Sequence, residues 1–147
     1  MVVLEPRYIP SSSMLPTLRE GDMIFVDKLT KWLKPFRRRD VVVFTMTGDK
    51  NALIKRIVAV EGDKVSVKNN RLYINGVLQV ESYVADFPMY TMNESEVPGG
   101  MVVVLGDNRN YSFDSHVWGF LPVKNIIGRA VLKYWPLSRI GLIEGSL

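Results

Sequence analysis

The sequence predicts a mainly β fold, on three observations. Short runs rich in β-branched residues recur along the chain, turn signals separate several of them, and the composition is that of one compact domain over residues 1–147. With 147 residues, 47% hydrophobic and 23% charged, the chain is large enough to bury one core and shows no repeat or low-complexity segment. The expected strands are Asp22 to Asp27, Asp40 to Thr45, Ala52 to Val60, Lys64 to Lys68, Arg71 to Ile74, Val77 to Val80, Met101 to Leu105 and Ile126 to Trp135. Asn75-Gly76 between two of them is a type I′ hairpin signal, and Asn69-Asn70 predicts a second turn. The stretch from Glu81 to Gly100 carries Phe87-Pro88, the acidic Asn93 to Glu96 and Pro98-Gly99-Gly100, and reads as a long irregular excursion.

Chemistry enters at Ile9-Pro10-Ser11-Ser12-Ser13-Met14-Leu15-Pro16. Each proline fixes its own φ and pushes the preceding residue towards extended backbone, so the three serines are held in one shape that can aim a hydroxyl; a plain serine-rich turn is the alternative from this segment alone. A serine hydroxyl needs a base, and the single histidine, His116, has no obvious pairing with the serines of this segment. Lysine is the substitute. Lys55 interrupts the apolar run Ala52 to Val60, and alternation along a strand sends Lys55 and Arg56 to opposite faces, so that one points inward while the other reaches solvent. At its reference pKa of about 10.4 roughly one lysine in a few thousand is neutral at pH 7, and apolar burial lowers that pKa by up to about 3 to 5 units. A surface lysine snorkelling over the strand edge is the competing reading.

The longest polar run, Gly106-Asp107-Asn108-Arg109-Asn110-Tyr111-Ser112-Phe113-Asp114-Ser115-His116, follows the Met101 to Leu105 strand directly. A loop so dense in hydrogen-bonding groups at the end of a buried strand holds either a fold or a site.

Ser13 before Met14, Lys55 before Arg56 in a strand that runs on to Glu61-Gly62-Asp63, and the Gly106 to Ser115 loop together resemble, in order, the sequence boxes of type I signal peptidases. The resemblance covers Tyr8 to Asp63 and Met101 to Ala130. It implies a membrane-bound serine protease of the Ser-Lys dyad type that removes signal peptides from exported preproteins, built as antiparallel β-sheets with a reduced insertion over Lys64 to Gly100. It implies Ser13 as nucleophile, Lys55 as general base, the Ser13 N–H and Ser11 hydroxyl as oxyanion hole, and Ser112 as the group that orients Lys55. Asp107, Arg109 and Asp114 become structural supports, with Asp114 and Arg109 expected as a charge pair, and His116 a structural hydrogen-bonding residue. Ile9, Leu18, Leu53 and Ile54 are expected to form shallow apolar pockets for the small residues of an Ala-x-Ala-like cleavage site, the peptide binding by β-strand addition. Two positions depart from the pattern. Ser12 stands where many members have glycine, and Asn110-Tyr111 replaces Asp-Asn. If the first position requires positive φ, Ser12 is strained.

No cofactor is expected, and the absence of cysteine together with a lone histidine counts against zinc. The apolar runs are far short of the ~18 residues a membrane helix needs, so the family's anchor is expected to precede this stretch of a longer chain, with the catalytic part on the extracytoplasmic face. The net charge of +4 centres on Lys31-Trp32-Leu33-Lys34-Pro35-Phe36-Arg37-Arg38-Arg39. That segment has three readings: a solvated loop, a nucleic-acid surface, or a lipid-facing surface in which Trp32, Leu33 and Phe36 dip into the headgroups. A lipid surface and signal peptides are the expected partners, and nucleic acid is not. The rival functions are a self-cleaving Ser-Lys repressor-type protease and a non-catalytic β-domain that binds peptide or lipid.

Overall fold

The computed structural model describes residues 3–145 and contains two antiparallel sheets. The first is built from β1 (Leu4–Tyr8), β2 (Met23–Asp27), β3 (Val41–Thr45), β4 (Ala52–Val60), β9 (Met101–Leu105), β10 (Leu121–Pro122), β11 (Ile126–Trp135) and β12 (Gly141–Leu142). Its order is β1-β2-β11-β3-β4-β9-β10, with β12 on β11, and it curls into a half barrel. The second contains β5 (Lys64–Lys68), β6 (Arg71–Ile74), β7 (Val77–Leu78) and β8 (Met92–Glu96) in the order β7-β6-β5-β8. The one α-helical turn among the described residues, α1 (Ser115–Trp118), follows the polar loop and is capped by the Asp114 carboxylate on the His116 N–H.

The expected strands form, except that Val77 to Val80 shortens to Val77–Leu78, and β1, β10 and β12 form beyond those expected. Asp22 and Asp40 lie just outside theirs because their carboxylates cap backbone N–H groups, of Arg19 at 2.8 Å and Arg37 at 3.0 Å. The Glu81 to Gly100 excursion is not wholly irregular: Met92–Glu96 forms β8 and pairs with β5. β1 is an edge strand, the place where a sheet tolerates the missing N–H of Pro6. Asn69, Asn70, Asn75 and Gly76 all take positive φ, as the type I′ geometry requires.

The continuous apolar run Val41 to Phe44 is buried on both faces: Val41 and Val43 join Ile9, Met14, Leu18, Ile24 and Val26 in one core, whereas Val42 and Phe44 pack with Ile57, Val104 and Leu121 in another. A third core, with Val58 and Val103 from the first sheet and Val65, Val67, Leu72 and Ile74 from the second, joins the two sheets. Among the described residues no helix is long and apolar enough to cross a membrane.

Candidate active site

Three segments meet at the curled sheet: the turn after β1, the first half of β4 and the loop after β9. Pairing with β3 sets Lys55 opposite Val42, and burial leaves its side chain facing Ser13. Lys55 Nζ lies 2.7 Å from Ser13 Oγ, with the lysine 3% exposed. Burial pushes the Lys55 pKa down to about 8, against a smaller opposing pull from the Asp114 carboxylate. Ser11 Oγ is 3.3 Å from Ser13 Oγ. The described non-glycine residues with positive φ are Arg39, Asn69, Asn70 and Asn75, so Ser12 carries no backbone strain. Its carbonyl accepts from Asn108 Nδ2 and that of Ser13 from the Asn108 N–H, each at 3.0 Å, which ties the serine turn to the polar loop.

Gly106 is the pivot of that loop. A Cβ there would overlap Ser112 Oγ and come within 2.5 Å of the Ser13 carbonyl oxygen, so the absence of a side chain lets the serine turn and the polar loop close on one another. Ser112 Oγ is buried beside it without a hydrogen-bond partner among the described residues; the expected contact to Lys55 is not formed, the lysine bonding Ser13 instead.

The supporting charges also differ from expectation. Arg109 does not pair with Asp114. Its guanidinium is buried and makes a two-pronged bond to Glu81, both contacts at 2.7 Å, while its Nε donates to the Gly106 carbonyl at 2.9 Å. Burial works to lower the Arg109 pKa, but the Glu81 carboxylate outweighs it and holds the pKa above its ordinary value. Asp114 instead accepts from the Gly106 N–H at 2.9 Å and bonds His116 Nδ1, whose ring stacks on Tyr90. Asp107 takes a two-pronged bond from Arg56 at 2.9 and 2.8 Å and a hydroxyl bond from Thr17. Arg56 therefore does not reach solvent; it is fully buried, also donating to the carbonyls of Arg39 and Glu144 and lying 3.7 Å under the Tyr83 ring. Thr17, Glu81 and Tyr83 carried no motif that sequence reasoning could use, although a lone acid between Val80 and Ser82 is the one signal that was available for Glu81.

A groove of about 450 Å³ runs up to the dyad, lined by Tyr8, Ile9, Ser11 and Ser13 on one side and Ala52, Leu53, Ile54 and Lys55 on the other. Ile9, Leu53 and Ile54 are where the apolar subsites were expected. Leu18 is not: it is fully buried in the core behind the groove with Met14 and Ile24. β9 pairs with β4 from Arg56 onward, so Ala52 to Lys55 has β3 as its strand partner on one side and an open edge on the other.

This geometry coincides with a family pattern. The family model "Signal peptidase, peptidase S26" matches residues 1–135. The chain belongs to that signal peptidase family. It is 44% identical to the Signal peptidase I of Leptolyngbya laminosa over 95% of this chain and 72% of that protein. It is 43% identical to Thylakoidal processing peptidase 1, chloroplastic, of Arabidopsis thaliana over 92% of this chain and 43% of that protein. A crystal structure of a signal peptidase I from Enterococcus faecalis V583 aligns with a TM-score of 0.55 at 29% identity, covering 65% of this chain and 97% of that one. As a signal peptidase of this family the chain is a serine peptidase, a hydrolase of peptide bonds.

Proposed function

We propose that this signal peptidase cleaves exported preproteins after an Ala-x-Ala-like site with Ser13 as nucleophile and Lys55 as general base, at the extracytoplasmic face of a membrane. The observation that carries the reading is the 2.7 Å bond between Lys55 Nζ and Ser13 Oγ in a site that holds the lysine pKa at about 8. Neutral Lys55 accepts the Ser13 proton as Oγ attacks the scissile carbonyl. The Ser13 N–H and the Ser11 hydroxyl receive the developing oxyanion, where a single donor typically contributes about 2.7 to 4 kcal/mol. The resulting ammonium passes its proton to the leaving amine, which frees the acyl-enzyme for water. Ser112, which has no partner among the described residues, becomes an acceptor for that ammonium once it forms.

The substrate adds as a strand to the open edge of Ala52 to Lys55 and lies between it and Ile9 to Ser11. An extended peptide sends alternate residues to one face, so two small residues flanking any third meet the apolar floor of Ile9, Leu53 and Ile54.

Lipid contact is assigned to the loop between β2 and β3. Arg129 anchors it from within, bonding Asp40, Thr30 and the carbonyls of Lys34 and Pro35 and lying 4.4 Å from the Phe36 ring. Phe36 is therefore part of the frame and does not dip into lipid, whereas Trp32 and Leu33 stand 77% and 70% exposed between Lys31 and Lys34.

The test is cleavage of a preprotein bearing an Ala-x-Ala site, in detergent or lipid, by the wild-type chain and by folded Ser13→Ala and Lys55→Ala variants. Site-specific cleavage lost in both supports the dyad; cleavage that survives either change refutes it.

A further inference from the structure

Glu81 lies in the segment that leaves β7, outside the groove and outside the loops that carry the dyad. Its carboxylate nevertheless occupies both terminal nitrogens of Arg109, whose remaining Nε holds the Gly106 carbonyl at 2.9 Å. The Gly106 N–H is held from the other side by Asp114 at 2.9 Å. Gly106 in turn is the residue against which Ser112 and the Ser13 carbonyl are packed, so a displacement there moves the surroundings of the nucleophile directly. Two positions further on, Tyr83 donates its hydroxyl to Glu81 Oε2 at 3.0 Å and covers Arg56, the arginine that grips Asp107. The Glu81 to Tyr83 segment thus touches both arginines that fix residues 106 and 107.

We propose that Glu81 is a positioning residue for the Ser13–Lys55 dyad, acting through Arg109 on the Gly106 backbone. The proposal rests on the dyad reading above. With Glu81 present, Arg109 has a fixed orientation and a matched charge, and its Nε is directed at Gly106. Without it a buried guanidinium is left with two unpaired nitrogens and turns towards whatever acceptor it can reach, releasing the Gly106 carbonyl. The segment leading out of the second sheet is in this way part of the catalytic scaffold of the first. Since Glu81 does not line the groove, its removal alters the geometry of the reacting groups and not the binding of the peptide.

The experiment compares the wild type with Glu81→Gln, Arg109→Met and the double variant, measuring kcat and KM separately on the Ala-x-Ala preprotein below the unfolding range of all four. It also measures hydrogen exchange of the 106–112 segment. The expected result for Glu81→Gln is a kcat lowered about tenfold or more with KM within about twofold. Exchange in 106–112 is faster while β9 is unchanged, and the double variant is no slower than Arg109→Met. Wild-type kcat with wild-type exchange overturns the proposal, as do losses that multiply in the double variant. Should Glu81→Gln fail to fold, Glu81→Asp keeps the charge one methylene shorter, and wild-type kcat and exchange in that variant overturn it equally. The exchange readout needs no turnover, so cleavage surviving in Ser13→Ala or Lys55→Ala would sink the dyad reading while Glu81's hold on Gly106 was still being measured.

Discussion

Lys55 and Arg56 are consecutive on β4 and both buried, at 3% and 0% exposure, on opposite faces of the sheet. Their surroundings divide them. Arg56 meets the Asp107 carboxylate in a two-pronged bond and two backbone carbonyls, so its charge is matched and it serves as a strut. Lys55 has a serine hydroxyl as its hydrogen-bond partner and Asp114 as a weaker charge nearby, so its neutral form is brought within reach of ordinary pH. One strand thereby supplies a matched cation to the scaffold and a buried lysine of lowered pKa to the site.

The pH dependence follows from that depression. With the neutral lysine as the proposed base, activity should rise with pH through about 8. Stability has the same sign. Between about 8 and the ordinary value of 10.5 the unfolded chain binds a proton that the folded chain does not, so folding is favoured as pH rises, and the penalty is fully present below 8. Its size is about 3 kcal/mol. Lys55→Met should therefore be inactive yet more stable than wild type at pH 7, with the gain shrinking towards pH 10. Urea unfolding at the two pH values checks this, and an equal gain at both would contradict the buried-charge account.

Gly106→Ala should damage both catalysis and folding. The added methyl would displace Ser112 or the Ser13 carbonyl, since both occupy its space. A drop in kcat of about 100-fold is expected, the scale on which small misplacements of reacting groups act. Tm should also fall, by several degrees or more, because the position is buried and the added methyl meets the Ser13 backbone, which cannot turn aside as a flexible side chain would. Near-normal kcat in the purified variant would show that the contact between these segments is not needed.

The central strands of the first sheet were legible because their apolar, β-branched runs are long, and Val41 to Phe44 and Ala52 to Val60 needed no tertiary information, whereas the edge strand β1 and the two-residue β10 and β12 carry no such run. β8 was not, since Met92–Glu96 is acidic and half exposed and is held in place by pairing with β5. In the site, Ser13 and Lys55 could be read from local pattern and family boxes together. The charge partners could not. An arginine accepts any carboxylate that the fold brings near, and proximity in sequence favoured Asp114 for Arg109 when the chain instead delivers Glu81 from 28 residues away. Burial of Arg56 was hidden for a similar reason: alternation fixes which face a side chain takes, and it does not say that both faces of β4 are covered.

Leu18 and Ile54 separate core from subsite. Leu18→Ala leaves a cavity among Met14, Ile24 and Val26 and should lower stability by about 2 to 5 kcal/mol with KM for the preprotein nearly unchanged. Ile54→Trp, at a half-buried position on the groove wall, should narrow the floor and raise KM while the protein stays folded. A Leu18→Ala variant with normal stability and a raised KM would restore that residue to the substrate site.

The loop carrying Trp32 and Leu33 should govern attachment to anionic bilayers. From Lys28 to Arg39 it contains no acid, and although Arg38 is matched by Asp63, Lys31, Lys34 and Arg37 have no carboxylate partner among the described residues. A basic residue near an anionic surface contributes about 1 kcal/mol, and the two exposed apolar side chains add burial in the headgroup region. Both sit on a frame fixed by Arg129, so the double change Trp32→Ala and Leu33→Ala should leave Tm within a degree or two, as for other exposed positions. Co-sedimentation with phosphatidylglycerol-containing vesicles should show binding by the wild type that weakens at high salt, and a loss of about tenfold or more in the double variant. Equal binding by both proteins would move the lipid contact elsewhere on the surface, and wild-type binding to neutral vesicles as strong as to anionic ones would remove the basic residues from the account.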